Sequence, residues 1–419
     1  MTYRIAGIDV HKRLLAVVVA DVAVDGEYQF ERRTFGTAPE QLRQLAGWFV
    51  AVGVDEVVME STAQYWRPVW DTLERQWAPA RRSPPGAPPT AGLLHLAQAQ
   101  SNRGPLGRKK DFPDAERLVR RLVAGELILS FVPDAEQRLW RTVTRRKYQL
   151  TCNRVPLQNR LEALLEEMHL KLSSLVSDLF GPSARRMLDA IAEGATDPAA
   201  VAALASQRLR ATPEALTDAL GACADLHPVY RRLLQLALTE RRGIEAQIEA
   251  LNLEMGGLLR RHQEAVQRLA AVPGLGVDSA QQIIAEVGPE AAAFPAPKQM
   301  ASWGGVCPGA EESAGVSYSR RSPKGNRQMR RLLAAAANAA VKTKGSIFEL
   351  VYRRLVPRLG HQQAIGAIAH RLCRLIWKIL HDKVSYNERG PAVTRERLRA
   401  RTAKMIRELK TLGYRVEPA

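Results

Sequence analysis

The sequence predicts an α/β domain followed by an all-α remainder. Three patterns indicate this: alternating strands and helices near the N-terminus, two long helical segments in the middle, and a helical, strongly basic last part. We expect four regions: an α/β domain at 1–130, a long-helix or coiled-coil domain at 131–268, a mostly helical domain at 269–390, and a basic helical tail at 391–419.

The first domain is predicted from runs of β-branched residues followed by helical spacing. In order, these are strands at 3–9, 14–23 and 28–34, a helix at 39–52, a strand at 54–59 and a helix at 66–76. The turn signal Asp25-Gly26 separates the second and third strands. Three strands before the first helix predict a sheet with mixed strand directions.

A segment rich in Pro, Ala and Arg at 77–92 cannot be the interior of a strand or helix, and we interpret it as a surface insertion. After it we expect a strand at 93–98, a basic loop at 104–110 and a helix at 115–125. The helix is introduced by Asp111-Phe-Pro-Asp114.

The middle of the chain carries two long helical segments, 134–172 and 227–269. The second has the 4-3-4-3 apolar spacing of a coiled coil at Ile244, Ile248, Leu251, Met255 and Leu258. The first repeats it at Leu157, Leu161, Leu164 and Met168. We expect Pro156 to kink the first segment. Two patterns fit equally well: antiparallel coiled-coil partners separated by a smaller helical insert at 175–225, and a pair of amphipathic helices packed on a core.

The last part is predicted to be helical at 279–286, 298–303, 326–341 and 363–380, with a basic helix at 394–412. The chain has a net charge of +18. From Val316 onward there are 24 Lys and Arg against 6 Asp and Glu, so this last quarter carries the entire excess. A uniformly solvated surface would spread its charge, so the pattern indicates a localised polyanion site.

Composition narrows the class of protein. The 419 residues are 46% hydrophobic, which excludes a wholly disordered chain. Four widely spaced cysteines form no zinc knuckle or disulfide framework and indicate a reducing, cytoplasmic location. We see no signal peptide and no membrane span, so we expect nucleic acid and not a membrane as partner.

Four carboxylates occupy positions where metal ligands are found. Asp9 and Glu60 each close a predicted strand, and Asp111 and Asp114 lie three residues apart at a helix start. Clustered hard oxygen ligands suit Mg²⁺, and two such ions support phosphodiester chemistry. Each carboxylate alone is better explained by a structural role at a strand end or helix start, so the prediction rests on the four together.

Two further motifs lie in the C-terminal half. Val272-Pro-Gly-Leu-Gly276 opens a helix, as in a helix-hairpin-helix motif that holds DNA phosphates, although an ordinary turn between helices also fits. Ser313 lies in a Gly-bearing loop, and no acidic residue follows it before Ile347. A hydroxyl there could attack a phosphodiester whose charge is locally neutralised. No histidine is nearby in sequence, so a Ser-His-Asp hydrolase is poorly supported.

Together these motifs resemble one family: insertion-sequence transposases with an RNase H-like (RuvC-type) DEDD domain and a C-terminal serine transposase domain, the bridge-RNA-guided recombinases. The resemblance is carried by Gly7-Ile-Asp9-Val-His-Lys12, Met59-Glu60-Ser-Thr-Ala-Gln-Tyr65, Gly107-Arg-Lys-Lys-Asp111-Phe-Pro-Asp114-Ala115, Val272-Pro-Gly-Leu-Gly276, and Cys307-Pro-Gly-Ala-Glu-Glu-Ser313-Ala-Gly315 with Lys324-Gly-Asn326. Each motif is weak alone, but five in this order are specific.

The resemblance implies that Asp9, Glu60, Asp111 and Asp114 bind metal, with Mg²⁺ expected, and that Ser313 forms a transient covalent link to a DNA end. It also implies target and donor DNA, a structured guide RNA and a homo-oligomer as partners. Nucleic-acid contacts are predicted at Lys12, Arg108, Lys109, Lys110, Gly274, Gly276, Arg320, Arg321, Lys324, Asn326, Arg327, Arg330 and Arg331.

Two other functions remain open from the sequence. A RuvC-like hydrolytic nuclease would keep the metal site and release free DNA ends without a serine link. A catalytically inactive nucleic-acid-binding relative is the other, and the insertion at 77–92 is the sequence feature that favours it.

Overall fold

The structure is a computed structural model that describes residues 3–22, 28–78, 94–99, 111–207, 209–309, 311–313, 316–319, 322–388 and 403, with only the backbone for 311–313 and 316–319. Residues 79–92 of the predicted insertion lie outside the described residues, as does the predicted tail apart from residue 403. The chain divides into two compact units, residues 1–135 and 136–419. Among the described residues, no helix is long and apolar enough to cross a membrane.

The first unit is built on a six-stranded sheet. In chain order its elements are β1 (Arg4–Val10), β2 (Leu14–Asp21), β3 (Gln29–Gly36), α1 (Pro39–Val52), β4 (Glu56–Glu60), α2 (Trp66–Gln76), β5 (Leu94–Ala97), α3 (Asp111–Val123) and β6 (Leu129–Ser130). The strand order is β3-β2-β1-β4-β5-β6. β1 pairs with β2 antiparallel and with β4 parallel, so the predicted mixed sheet is confirmed. This arrangement is consistent with an RNase H-like fold.

Helices cover both faces of this sheet. Alternate residues of β1, such as Ile8 and Val10, are buried in a cluster with α1 and α2. Ile5, on the other face, packs with Ala115 and Val119 of α3. Because both faces are covered, β1 and β2 are nearly continuous apolar runs without the polar alternation of a half-exposed sheet.

Gly7 allows α3 to lie unusually close to β1. A Cβ added at Gly7 would lie 2.9 Å from Val119 Cγ2 and closer still to the carbonyl oxygen of Ala115. Only a glycine leaves room for the helix backbone here. The first turn of α3 therefore comes down beside the end of β1.

Among its described residues, the second unit contains helices and one hairpin. Its elements are α4 (Ala135–Glu167), α5 (Pro182–Glu193), α6 (Pro198–Ala202), α7 (Pro213–Ala219), α8 (Pro228–Leu258), α9 (Gln263–Ala270), α10 (Val277–Val287), α11 (Pro297–Trp303), β7 (Glu311–Ser313), β8 (Val316–Ser319), α12 (Arg327–Ala340) and α13 (Ile347–His381). The predicted α/β domain followed by a mostly helical remainder is confirmed.

Several helix bounds differ from the predictions for local reasons. The predicted helix 227–269 is divided into α8 and α9, because Gly256 and Gly257 weaken the end of α8 and a 3-10 turn follows at Arg260–His262. Pro156 does not end α4, which continues across it. α13 is longer than predicted and holds a non-helical Gly360 with φ of 73°.

The predicted coiled-coil seams are occupied within the chain. Leu157, Leu161 and Leu165 of α4, and Met168 directly after its end, are buried in one cluster with α5 and the first part of α8. Met255, from the other end of the α8 seam, is buried in a second cluster with α9, α10, α12 and α13. The burial of Leu165 in place of Leu164 follows the ordinary packing of a helix on a core. The coiled coil is not confirmed and stays a prediction.

Candidate functional site

The parallel pairing of β1 and β4 brings two of the predicted carboxylates to neighbouring positions. Ile8 is the register partner of Met59, so the next residues, Asp9 and Glu60, lie side by side at the carboxyl ends of the two strands. Asp9 is only 7% exposed, whereas Glu60 is half-buried. The carboxyl ends of parallel strands are where open α/β sheets place their ligands.

The other two carboxylates come from the first turn of α3. Asp111 and Asp114 lie in this turn, and Gly7 permits its close approach to β1. The partial positive charge at a helix N-terminus favours acidic residues in this position. Pro113 lies in the same turn, where its missing N–H has no helical partner to lose.

The four side chains form what we call the carboxylate cluster (Asp9, Glu60, Asp111 and Asp114), in which the charges of the other three act on Asp9. Burial raises the pKa of Asp9 above its usual value. The neighbouring charges of Asp114, Glu60 and Asp111 raise that pKa further, and His11 opposes the shift. Mutual repulsion at a partly buried position is the condition under which carboxylates gain most from a bound cation.

His11 is a residue of this site to which the sequence analysis assigned no role. Its Nε2 lies 3.1 Å from Asp9 Oδ2 and 3.5 Å from Asp111 Oδ1. The ligand atoms of Asp9, His11 and Asp111 all lie within 4.8 Å of one another, close enough to share one metal ion. Its position two residues after Asp9 is visible in the sequence, but the contact with Asp111 depends on the packing of α3.

Two neighbours orient members of the cluster. Arg117, one turn along α3, lies with Nη2 2.6 Å from Asp114 Oδ1. The hydroxyl of Thr62 donates a hydrogen bond of 3.3 Å to Glu60 Oε1. Such partners fix the direction in which a carboxylate presents its free oxygen. The donor set of carboxylate oxygens with one imidazole fits a divalent cation that accepts oxygen and nitrogen ligands.

In the second unit, Ser313 ends β7 of a short antiparallel hairpin, which we call the serine hairpin (β7 and β8). Ser313 is the register partner of Val316. The sequence analysis placed Ser313 in a Gly-bearing loop, whereas the structure has Ser313 at the end of a short strand. Arg320 and Arg321 lie outside the described residues.

The two ends of the segment that holds the serine hairpin are joined at a neck, which we define as Gly305, Gly325, Asn326 and Glu286. Gly305 has a φ of 67°, and a Cβ added at Gly325 would overlap its backbone. The Asn326 N–H donates a 2.7 Å hydrogen bond to the Trp303 carbonyl. Two backbones therefore touch directly where the segment leaves the helical core.

Side chains reinforce this neck. Asn326 Oδ1 accepts the Met329 N–H at 2.8 Å and caps α12, while its Nδ2 donates to Glu286 Oε2 at 3.2 Å. Glu286 is 2% exposed. Arg145 Nη2 lies 3.0 Å from Glu286 Oε1 and compensates its charge. Asn326, predicted to bind nucleic acid, has both side-chain atoms engaged in this neck.

The remaining predicted nucleic-acid contacts that carry a charged side chain fall into three groups. The first group is exposed and forms no ion pair with another described residue; it consists of Lys12, Lys324, Arg327 and Arg330. Arg331 is half-buried, stacks over Tyr148 at 3.9 Å and donates to Gln282 at 2.7 Å, so it contributes to packing. Arg108, Lys109 and Lys110 lie outside the described residues.

The Pro-Gly-x-Gly turn joins α9 to α10. Gly274 has a φ of 83°, and a Cβ there would overlap the Ala336 carbonyl of α12, so this glycine packs against a helix. Gly276 is exposed, and its N–H is accepted by Ser279 Oγ at 2.8 Å. A helix-hairpin-helix function is not confirmed by this geometry and stays a prediction.

Two family profiles match separate stretches of the chain. A family profile for DEDD transposases of the IS110 type matches residues 6–170. A second, described as the transposase IS116/IS110/IS902 family, matches residues 266–353. The first match contains the carboxylate cluster, and the second contains the serine hairpin and its neck.

Individual relatives match at lower identity. A 42 kDa protein of insertion element IS900 from Mycobacterium paratuberculosis is 29% identical over 38% of this chain and 41% of its own length. A 43.6 kDa protein of IS110 from Streptomyces coelicolor is 29% identical over 36% of each chain. The chain thus spans about two fifths of these curated relatives.

A longer match is to a probable family 20 transposase from Pseudomonas aeruginosa, 26% identical over 67% of this chain and 74% of that protein. Among solved structures, a Ppx/GppA family protein from Aquifex aeolicus aligns with a TM-score of 0.18 and 10% identity, over 59% of this chain and 99% of that one. That score carries no argument about function. The two profile matches, in this order along one chain, place the protein in the IS110 family of insertion-sequence transposases.

Proposed function

We propose that this chain is an RNA-guided DNA transposase that cuts and rejoins DNA through a covalent serine–DNA intermediate, assisted by a metal bound at the carboxylate cluster. The observation that carries the proposal is the convergence of Asp9 with Glu60, Asp111 and Asp114. Three carboxylates around one buried aspartate weaken a fold unless a cation compensates them, so their arrangement supports a metal-binding role.

In this proposal, Asp9, Glu60, Asp111 and Asp114 hold the cation, and Mg²⁺ is the expected ion. A bound divalent cation supplies charge neutralisation for a phosphodiester and its leaving oxygen. Arg117 and Thr62 keep their carboxylate partners oriented. His11 stays within reach of both Asp9 and Asp111.

Ser313 is the proposed nucleophile. Its hydroxyl oxygen bonds to phosphorus as the bond to a deoxyribose oxygen breaks; the hydroxyl proton passes to a base and the departing oxygen is protonated. One ester replaces another, so the strand can be rejoined without a further energy source. Lys324, Arg327 and Arg330, exposed around the neck, would neutralise the phosphates that approach it.

A structured guide RNA is the third part of the proposal. It would read target and donor DNA by base pairing, while the protein contacts backbone and shape. The excess of basic residues after Val316 supports a large surface in this part of the chain that binds a polyanion. Assembly as a homo-oligomer would supply serine and metal sites in several copies.

The serine mechanism is tested with Ser313→Ala in the full chain with its RNA. We expect no protein-linked DNA and no recombined product, with RNA binding unchanged, because a single oxygen has been removed from a hairpin whose neck is intact. Asp9→Ala is the companion variant and should lose strand cleavage. Recombination by the Ser313→Ala variant would contradict the serine mechanism.

A hydrolytic RuvC-like nuclease is the second candidate, favoured by the completeness of the carboxylate cluster within the first unit alone. It predicts free 3′-hydroxyl and 5′-phosphate ends and no protein-linked DNA. Cleavage that survives Ser313→Ala but not Asp9→Ala would support this candidate in place of the transposase mechanism.

A further inference from the structure

One face of α13 carries three cations to which the sequence analysis assigned no role. Arg371, Arg374 and Lys378 lie on the helical part after Gly360 and are all exposed. Their spacing of three and four residues puts them on the same side of the helix. The buried side of the same helix, including Leu372 and Ile376, belongs to the core.

Within the part of the chain that the structure describes, these cations have no acidic partner. None of the three forms an ion pair with another described residue, and no acidic residue occurs from Leu350 to His381. Arg353, nearer the start of α13, shows the contrast, because its Nη2 lies 2.6 Å from Glu349. The face around Arg374 therefore attracts anions from solution.

Beside the cations lies a cavity of about 350 Å³ lined by Pro297, Leu375, Trp377 and the three cations themselves. Two contacts hold the Trp377 ring in place on one side of the cavity. Its Nε1 donates a 2.8 Å hydrogen bond to the Phe294 carbonyl, and its ring stacks on His381 with 4.3 Å between the ring centroids. A cavity of this size admits a small planar group, and its walls are largely apolar.

We propose that this α13 groove (Pro297, Arg371, Arg374, Leu375, Trp377 and Lys378) binds a single-stranded segment of DNA, with phosphates on the cations and one unstacked base in the cavity. The charges match a nucleic-acid backbone, and the apolar walls match the face of a base. A duplex keeps its bases stacked and would leave the cavity empty.

Two other occupants fit less well. The chain's own C-terminal residues 389–419 are basic in sequence and carry the same sign of charge as the groove. An acidic protein segment would satisfy the cations but would not require a cavity for a planar group. The choice of DNA over RNA rests on the proposed function, since a transposase exposes single DNA strands when it exchanges them.

The test is the equilibrium binding of labelled oligonucleotides to the full chain, followed by fluorescence anisotropy. The probes are an oligodeoxyuridylate, an abasic strand of equal length, the matching oligouridylate and a duplex. We expect the wild-type protein to bind the oligodeoxyuridylate more tightly than the abasic strand. In Arg371→Ala/Arg374→Ala, affinity should fall about tenfold, the salt slope should drop by about 1.4, and the preference for bases should disappear.

The matched control is Arg354→Ala/Arg358→Ala, which removes two exposed arginines from the first part of the same helix. Both variants should unfold at the same temperature, because all four side chains are exposed. We expect the control to lose no more than about twofold, by long-range electrostatics alone.

Equal losses in the two double variants, equal affinity for base-bearing and abasic strands, or tighter binding of RNA than of DNA would each overturn the proposal. Binding needs neither metal nor Ser313, so Ser313→Ala should bind like the wild type. Recombination by Ser313→Ala, together with unchanged oligonucleotide binding, would therefore contradict the proposed function and leave the proposal for the α13 groove unaffected.

Discussion

The carboxylate cluster and the neck of the serine hairpin position their residues by different forces. The cluster is set by packing: buried strands end side by side, and Gly7 lets α3 approach them. The neck is set by hydrogen bonds, with Asn326 joined to a backbone carbonyl, a helix end and the buried Glu286. The first site should therefore be sensitive to added volume and the second to lost polar groups.

The largest loss of stability and of DNA cleavage is expected when Gly7 is substituted. In Gly7→Ala the new methyl overlaps the Ala115 carbonyl, so α3 must move and carry Asp111 and Asp114 away from Asp9. We expect the free energy of unfolding to fall by about 2–3 kcal/mol. DNA cleavage should fall by about a hundredfold, because catalytic groups tolerate little displacement. Chemical denaturation and a cleavage assay measure the two effects.

Gly47→Ala is the control for this variant. Gly47 lies in α1 of the same unit and has open space around it, so alanine should stabilise the helix slightly and leave cleavage unchanged. Normal cleavage by Gly7→Ala would show that the close approach of α3 does not position the carboxylates.

A smaller loss of stability and of reaction rate is expected when the neck of the serine hairpin is weakened. Asn326→Ala removes the cap of α12 and one partner of Glu286, so the protein should lose about 1 kcal/mol of stability. Formation of protein-linked DNA should slow by about tenfold, since the serine hairpin is less well held. Metal binding at the other unit should not change, which separates the two sites.

Thr212→Ala is the matched control for Asn326→Ala, because it also removes the side chain that caps a helix. Its hydroxyl accepts the Ala215 N–H at 3.2 Å at the start of α7, away from the hairpin neck in sequence. This variant should lose similar stability and keep its rate of covalent linkage. Equal slowing in both variants would mean that stability, and not the neck, limits the reaction.

The smallest effect concerns pH. The pKa of Asp9 is raised by burial and by its carboxylate neighbours, so the folded protein holds this proton more tightly than the unfolded chain does. Without metal, the contribution of Asp9 to stability is therefore lost as pH rises from the unfolded pKa through the folded one. Asp9→Asn should remove this pH dependence and raise the melting temperature of the metal-free protein slightly at neutral pH.

Much of the first unit could be predicted because its signals are local. The Val-rich run of β2, and the carboxylates at the ends of β1 and β4, are visible in the sequence alone. The role of Gly7 is not, because its partner Ala115 is far along the chain and an isolated glycine carries no packing signal. His11 was missed for the same reason.

The second unit was harder to predict in detail. The spacing of apolar residues predicts its helices but does not predict which helices their apolar faces pack against. The seam residues of α4, for example, pack within the chain. The neck depends on Glu286, a carboxylate inside an apolar helix that gives no sign of its partners on α4 and α12. Polar contacts over such separations are fixed only by the fold.

The central claim is that the carboxylate cluster binds a divalent cation, and a calorimetric titration with Mn²⁺ and Mg²⁺ tests it most directly. The wild-type protein should bind metal and melt at a higher temperature with it. Asp9→Asn should bind none and show no gain, while Asp55→Asn, outside the cluster, should behave like the wild type in metal binding. Unchanged metal binding by Asp9→Asn would contradict the account.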